Sequence, residues 1–264
     1  MIKIQNLTAG YGKKIVLSDI NLELENQTYG IIGPNGSGKT TLFRVLTSFR
    51  MLTSKNILTA NLKICSGDIL VSDSCNNKKM IGKKNCQIGY LSQKFGCMPQ
   101  LTVKEQLQYF CYLKKIPASE EEYEISRVLD AVHMSEFANQ KCKKLSGGMV
   151  RRVGIAQAIL GKPQFILLDE PTTGLDIEER CHFLYTILLA ISTIFVTFIL
   201  TNYQLFHQLE GVCPVLVSSH ITEDIVEGCT NTIILKTGTI LLQEKTEKIK
   251  PSLEEVYLKC MRGI

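Results

Sequence analysis

Gly33-Pro34-Asn35-Gly36-Ser37-Gly38-Lys39-Thr40 satisfies every fixed position of G-x-x-x-x-G-K-[ST]. That spacing serves one kind of chemistry, the grip on a polyphosphate. Its glycines let successive backbone N–H groups converge on phosphate oxygens, and a helix opening directly after the loop adds partial positive charge. Lys39 then reaches the β- and γ-phosphates, and the hydroxyl of Thr40, with Thr41 next along, offers an oxygen ligand for Mg²⁺. A second pair, Asp169-Glu170, follows the apolar run Phe165-Ile166-Leu167-Leu168. Two carboxylates thus stand at the C-terminal end of a buried strand, where α/β sheets bind ligands. Asp169 suits a Mg²⁺ shell, and Glu170, pointing elsewhere, suits orienting and polarising an attacking water. In Leu145-Ser146-Gly147-Gly148-Met149 a serine and two glycines open another helix. This is a second phosphate-binding helix N-terminus, separate from the first.

These groups need a scaffold, and the sequence supplies its signals. Residues 1–8 and 15–24 alternate apolar and polar positions around the turn Tyr11-Gly12-Lys13-Lys14, which predicts an antiparallel edge sheet. Tyr29-Gly30-Ile31-Ile32 reads as a short buried strand feeding the glycine loop, with a helix from Lys39 to about Leu46. Thr102-x-x-Glu105 and Ser119-x-x-Glu122 have capping-box spacing, which predicts helices over 102–115 and 119–133. Ser146 caps a third helix, ended by Gly161-Lys162-Pro163. The continuous apolar runs at Phe165–Leu168, Pro214–Val217 and Thr232–Leu235 read as buried parallel strands. Residues 97–161 therefore form a mostly helical block inserted between strands.

At 264 residues the chain makes one large domain or two small ones, and 45% apolar with 21% charged residues excludes disorder and a multi-span membrane protein. Thirty basic against 25 acidic residues leave +5 without a polybasic run, so charge does not imply nucleic acid. Ten cysteines contain no Cys-x-x-Cys pair. That argues against a zinc site or a disulfide scaffold and for free, reduced thiols. Met1-Ile2-Lys3-Ile4-Gln5-Asn6 lacks a basic segment followed by an apolar one, so a cytoplasmic location is expected.

Taken in order, the glycine loop, the Ser-Gly-Gly segment and the strand-end carboxylates resemble the ATP-binding subunit of an ATP-binding cassette (ABC) transporter. That family's signature loop is Leu-Ser-Gly-Gly-Gln, and its nucleotide sits between two cassettes. The resemblance covers residues 1 to about 243. It implies an α/β fold of the P-loop NTPase, ABC-ATPase type: a mixed β core sheet, an antiparallel N-terminal β subdomain and an inserted helical signature subdomain at 97–161. One ABC ATPase domain would then span 1–264, closed by a C-terminal helical extension at 244–264. Tyr11 resembles the aromatic that stacks on adenine, and Gln93, in Tyr90-Leu91-Ser92-Gln93, the metal and water ligand facing the helical block. Thr173-Gly174-Leu175-Asp176 resembles the loop that crosses to the partner cassette, and His220 the histidine that senses the γ-phosphate. The implied catalytic set is Glu170, His220 and Gln93. Metal ligation falls to Thr40, Gln93 and Asp169, and nucleotide binding to Tyr11, Gly33 through Thr41, Ser146, Gly147, Gly148 and Asp176. ATP is the implied substrate and Mg²⁺ the implied metal.

The resemblance further implies ATP hydrolysis that drives export, with the permease on a separate chain and a second cassette as partner, either an identical copy or a different one. The expected place is the cytoplasmic face of the membrane, as a peripheral subunit, with no nucleic acid partner. The alternative is a soluble ABC-type ATPase not engaged in transport, a class that needs a long coiled-coil insertion or two cassettes in one chain. A P-loop GTPase would need an Asn-Lys-x-Asp signature, which is absent. Three departures from the family pattern stand out. Met149 replaces the signature Gln and, with Ile221-Thr222-Glu223-Asp224-Ile225 and Ser252-Leu253-Glu254-Glu255-Val256-Tyr257, resembles the ABC-2 exporter branch. The stretch from Thr40 to Gln93, with Cys65, Cys75, Cys86 and the basic run Lys78 to Lys84, is longer than the family's and reads as a solvated loop. Phe183 to Leu209 contains no charged residue. A bilayer crossing there would separate Asp169 and Glu170 from His220, so the expectation is a helix from about Glu178 to Ser192. An apolar segment over 194–209 would follow it as a surface patch for a partner.

Overall fold

Ile2, Ile4, Leu7 and Ala9 are buried along strand β1 (Ile2–Tyr11), as are Leu17, Ile20, Leu22 and Leu24 along β2 (Lys14–Leu24). Alternation within each stretch gives the antiparallel pair expected over 1–24, running from Ile2 opposite Leu24 to Tyr11 opposite Lys14, with register shifts between Ile4 and Gly10 that move the buried set from even to odd positions along β1. The structure, a computed structural model, describes residues 1–48, 62–73, 76–80, 87–172 and 213–263. Asp176, the loop 173–176, the helix expected over 178–192, the apolar segment 194–209, Cys75 and Cys86 lie outside the described residues. The basic run from Lys78 is described only as far as Met80. The chain forms two units, 1–86 with 213–264, and 87–212.

In the first unit, β1 also pairs with β4 (Leu62–Asp73), which pairs with β5 (Asn76–Met80), giving an antiparallel sheet in the order β2-β1-β4-β5. Part of the stretch read as loop is therefore strand. Between residues 62 and 70 only Leu62 and Ile69 are buried, so apolar alternation is missing and pairing with β1 defines the strand instead. A register shift in that pairing is made by Gly67, whose φ is +93°; a Cβ there would lie 2.5 Å from the Asn6 carbonyl oxygen. Strand β3 (Thr28–Ile32) pairs in parallel with β8 (Val215–Ser219) on one side and β9 (Asn231–Lys236) on the other. Strand β10 (Thr239–Lys245), which the sequence reading did not anticipate, runs antiparallel to β9. Helix α1 (Lys39–Ser48) follows the glycine loop, and α5 (Thr222–Gly228) packs on β3. A Cβ on Gly30 would lie 2.4 Å from Ile225 Cγ2, so a side chain there would force the helix away. Helices α6 (Thr246–Ile249) and α7 (Leu253–Arg262) complete the unit, with Lys236 Nζ donating to the Met261 carbonyl at 2.6 Å.

In the second unit, β6 (Ile88–Leu91) pairs in parallel with β7 (Phe165–Asp169), every residue of which is buried. Helix α2 (Val103–Lys114) begins on a complete capping box: Thr102 accepts from the Glu105 N–H, and the Glu105 carboxylate accepts from the Thr102 N–H. The Ser119 box does not form. Helix α3 (Ala118–Ala131) starts one residue early, with Pro117 in the N-cap position at φ −57° and ψ 141° and no side-chain cap bond, so Ser119 lies inside it. Helix α4 (Gly147–Ile159) ends against a polar knot. Glu124 takes two hydrogen bonds from Arg127, at 2.7 and 3.1 Å, and one from the Gly161 N–H at 3.1 Å. Arg127 also donates to the Ile159 carbonyl, and Lys114 Nζ donates to those of Gln157 and Leu160 at 2.9 and 2.6 Å. Cations thereby meet the carbonyls at the negative end of α4. Burial lowers the Lys114 ammonium to about 8. Among the described residues, no helix is long and apolar enough to cross a membrane.

Candidate functional site

The site residues fall into two groups, one in each unit. In the first, β3 stops at Ile32 and α1 starts at Lys39, leaving six loop residues between them. Gly36 and Gly38 adopt φ of +80° and +109°, a region that favours glycine. A Cβ on Gly33 would lie 2.2 Å from the Leu235 carbonyl oxygen of β9. The loop turns on a Ser37 N–H to Pro34 carbonyl bond of 3.1 Å and hands over to the helix through the Leu42 N–H to Gly38 carbonyl bond of 2.9 Å. Pro34, Asn35 and Gly36 are exposed at its crest, whereas Ser37, Gly38 and Lys39 are buried. Its floor is braced from far along the chain. The Gly238 N–H, in the β9–β10 turn, donates to the Ser37 carbonyl at 2.8 Å, and the Ser18 N–H donates to the Gly238 carbonyl at 2.9 Å.

Lys39 Nζ donates to the carbonyls of Gly33 and Pro34 at 2.5 and 3.3 Å, which holds the ammonium at the loop itself. Those acceptors are neutral, and a polyphosphate offers the same donor full negative charge. Thr40 is half-buried and Thr41 buried in the first turn of α1. Tyr11 closes β1 with its hydroxyl accepting from Arg44 Nη1 of α1 at 3.0 Å, so the aromatic is tied to the helix that the loop opens. His220 is exposed directly after β8. The turn behind it is fixed by Ser219, whose Oγ donates to the buried Asp224 carboxylate and accepts from the Ile221 N–H, both at 3.0 Å.

In the second unit, Asp169 is the buried last residue of β7, and Glu170 follows with φ of +48°. A left-handed backbone at a non-glycine residue costs roughly 1–3 kcal/mol, and such strain gathers at functional sites. The turn takes the Glu170 side chain off the line of the strand, where Oε2 accepts from Gln93 Nε2 at 2.8 Å. Gln93 sits just beyond β6, and its carbonyl accepts from Arg151 Nη2 of α4 at 2.6 Å. Burial lowers the Arg151 guanidinium from its ordinary value, while the carboxylates of Glu170 and Asp169 act in the opposite direction. Helix α4 opens on Ser146, whose Oγ accepts from the Met149 N–H at 3.2 Å. That cap uses the backbone of Met149, so replacing the family's Gln leaves it intact. The N–H groups of Gly147 and Gly148 come first in the helix and have no acceptor within it. Among the described residues, nothing beyond its chain neighbours and the backbone of its own helix lies within 4 Å of a Cβ placed on Gly147.

The structure thus joins Gln93 to Glu170 beside Asp169, and assembles the glycine loop with Lys39, Thr40 and Tyr11. Sequence reasoning missed Arg151, Arg44 and the bracing Gly238. The Thr237-Gly238-Thr239 turn signal was available for the last, but nothing local marked its partner. As for a metal, Thr40, Gln93 and Asp169 all offer hard oxygen donors, which suit Mg²⁺. Among the described residues no three His, Cys, Asp or Glu side chains form a cage for an ion.

A family model described as ABC transporter matches residues 17–173, more than half of the chain. The linearmycin resistance ATP-binding protein LnrL of Bacillus subtilis is 30% identical over 188 residues, which cover 71% of this chain and 56% of that protein. The chain thus spans little more than half the length of that relative. The ABC transporter ATP-binding protein YhaQ of the same organism is 29% identical over 253 residues, covering 96% of this chain and 74% of that one. Among solved structures, the dimeric bacterial ABC transporter cassette MJ0796 superposes with a TM-score of 0.68 at 25% identity, over 93% of this chain and 99% of its own.

Proposed function

This chain belongs to the ABC transporter family, and on that premise we propose that it binds and hydrolyses ATP to drive export through a permease carried on a separate polypeptide. The contact of Gln93 with Glu170 beside the buried Asp169 carries the hydrolytic reading. Residues Gly33 to Thr41 hold the phosphates and Tyr11 the adenine. Thr40, Asp169 and Gln93 would supply oxygen ligands to Mg²⁺, which would neutralise charge on the phosphates. Glu170, held off the strand axis, accepts a hydrogen bond from the attacking water and polarises it, while His220 senses the γ-phosphate.

Ser146, Gly147 and Gly148 meet the nucleotide of a second cassette, as does the loop ending at Asp176. The dimeric form named for the similar cassette MJ0796 supports such a pairing, with an identical copy as the partner. Export is supported by the likeness to LnrL, which is named for resistance to linearmycin, and by the ABC-2-like Met149 and Ser252–Tyr257 segments. Residues 97–161 act as the helical signature subdomain and 244–264 as a C-terminal extension, and the chain works as a peripheral subunit at the cytoplasmic face of the membrane. Membrane fractionation with a co-purifying permease tests the transport reading. Glu170→Gln tests the chemistry. It keeps shape and the acceptor for Gln93 but loses the charge, so a fluorescent ATP analogue should still bind while turnover falls by about 10² or more. Unmodified turnover in Glu170→Gln would remove Glu170 from its role.

A further inference from the structure

One side chain ties the helix that opens at Ser146 to the Gln93–Glu170 pair. Arg151, on α4 five residues after Ser146, donates Nη2 to the Gln93 carbonyl at 2.6 Å and Nη1 to the Ser92 carbonyl at 3.2 Å. Gln93 Nε2 in turn donates to Glu170 Oε2 at 2.8 Å. One helical turn on from Arg151, α4 presses on the same stretch again. A Cβ on Gly154 would lie 2.6 Å from Leu91 Cδ1 and 2.9 Å from Phe95 Cδ1, so helix and loop touch there without slack. Residues 91–95 are therefore held to α4 twice, by close packing and by a fork of hydrogen bonds.

We propose that Arg151 is a positioning residue that couples the Ser146 end of α4 to the Gln93–Glu170 pair of the same chain, so that a phosphate engaged at the helix N-terminus sets the geometry of the hydrolytic carboxylate. The proposal rests on the role given above to Glu170 and Gln93. A helix moves as a rigid element, and a displacement of α4 along its axis draws the Ser92 and Gln93 carbonyls with it. The Gln93 amide then shifts against Glu170, and misplacement of about 1 Å at such a group is worth about 10² in rate. A planar guanidinium reaches both carbonyls at once, which a lysine ammonium on a flexible stem does not reproduce. Arginine carries its charge in proteins, so all of the guanidinium N–H groups are donors.

The test compares the purified full chain with R151A, R151K and Q93A in ATP turnover, binding of a fluorescent ATP analogue, and thermal melting. R151A should lose about 10² in kcat, while KM and analogue affinity stay within about twofold, because the glycine loop is untouched. R151K should recover part of kcat, and adding R151A to Q93A should cost less than R151A costs alone, because Arg151 acts through Gln93. Wild-type kcat in R151A overturns the proposal, as does a parallel fall of kcat and affinity, or losses from R151A and Q93A that multiply. Should R151A melt below the assay temperature, R151K decides: a fall in kcat at constant KM supports the coupling, and unchanged kcat overturns it. If Glu170→Gln abolishes turnover and the Arg151 variants do not alter it, the coupling alone falls. If neither alters turnover, the hydrolytic role of Glu170 falls with it.

Discussion

Removing the Glu124 carboxylate strikes the far end of α4 and should be among the costliest single changes in the helical unit. Its side chain is 4% exposed and that of Arg127 9%, with Nη2 and Oε2 2.7 Å apart. Glu124→Ala leaves the Arg127 guanidinium buried without its counter-charge and takes the acceptor from the Gly161 N–H. Breaking a buried pair from one side costs about 3–5 kcal/mol, far more than the 0–1 kcal/mol of an exposed pair such as Lys3–Glu23. For a chain of this size that is a fall in Tm of roughly 6–20 °C. Glu124→Gln, which keeps an acceptor but no charge, should fall between, and adding Arg127→Met to Glu124→Ala should cost little more, because the orphaned cation leaves with it.

The carboxyl of Glu124 is raised by burial, but the hydrogen bond and charge of Arg127 and the Gly161 N–H outweigh this and hold it below the usual glutamate range. A group whose pKa is depressed in the fold contributes stability above its unfolded value, lost as pH falls through the folded one. The gap between wild type and Glu124→Gln should therefore be constant near neutrality and shrink as pH drops below about 4.3. Thermal melts of the full chain at pH 7 and on an acid series measure both effects. A Glu124→Ala chain within about 1 kcal/mol of wild type at pH 7 would refute the energetic argument.

Lys39→Ala should weaken ATP binding by about 10² or more, since charge-assisted bonds to phosphate at a buried ammonium are worth about 3 kcal/mol together; equilibrium titration with a fluorescent analogue reads this, and unchanged affinity would argue against the loop as the phosphate site. A composite site makes a sharper demand on pairs of cassettes. Gly147→Asp has room for its side chain and places a carboxylate where a partner's γ-phosphate would come, so it should be inactive alone. Mixed with Lys39→Ala, one working site is rebuilt per mixed dimer, with about half of the unmodified activity if sites are independent. Demonstrated mixed dimers without activity would count against sites shared between two copies, whereas rescue by a different cassette alone would indicate a heterodimer.

Much of this arrangement could be read from local signals. The loop from Gly33 to Lys39 declares itself through glycines whose positive φ no other residue adopts cheaply, and the Thr102 capping box formed as spaced. Continuous apolar runs at Tyr29–Ile32, Phe165–Leu168 and Thr232–Leu235 became buried parallel strands because both of their faces are covered. What escaped was decided at long range. Strand β4 buries too few side chains to show a period and exists through its pairing with β1, while β6 is four residues long and interrupted by Gly89. The Gln93–Glu170 bond joins residues 77 apart in sequence, and Arg151 reaches a backbone carbonyl, an acceptor that every residue carries and that therefore leaves no compositional trace. Ser119 misled because its spacing was right but the helix starts at Ala118 with Pro117 in the cap position, which leaves Ser119 inside the first turn.

The bracing of the glycine loop also sets an order in which the nucleotide site can come into being during synthesis. Strand β3 leaves the ribosome well before both neighbours that pair with it, β8 and β9, which lie beyond residue 213. The turn that pins the Ser37 carbonyl follows only at Gly238. A nascent chain ending before them has the whole phosphate motif in its sequence but no floor beneath it, and carries an apolar strand with two bare edges, the kind of surface that invites aggregation. Competence to hold a nucleotide thus waits until β8, β9 and the Gly238 turn have closed around the loop, and closures over so long a stretch are slow to form.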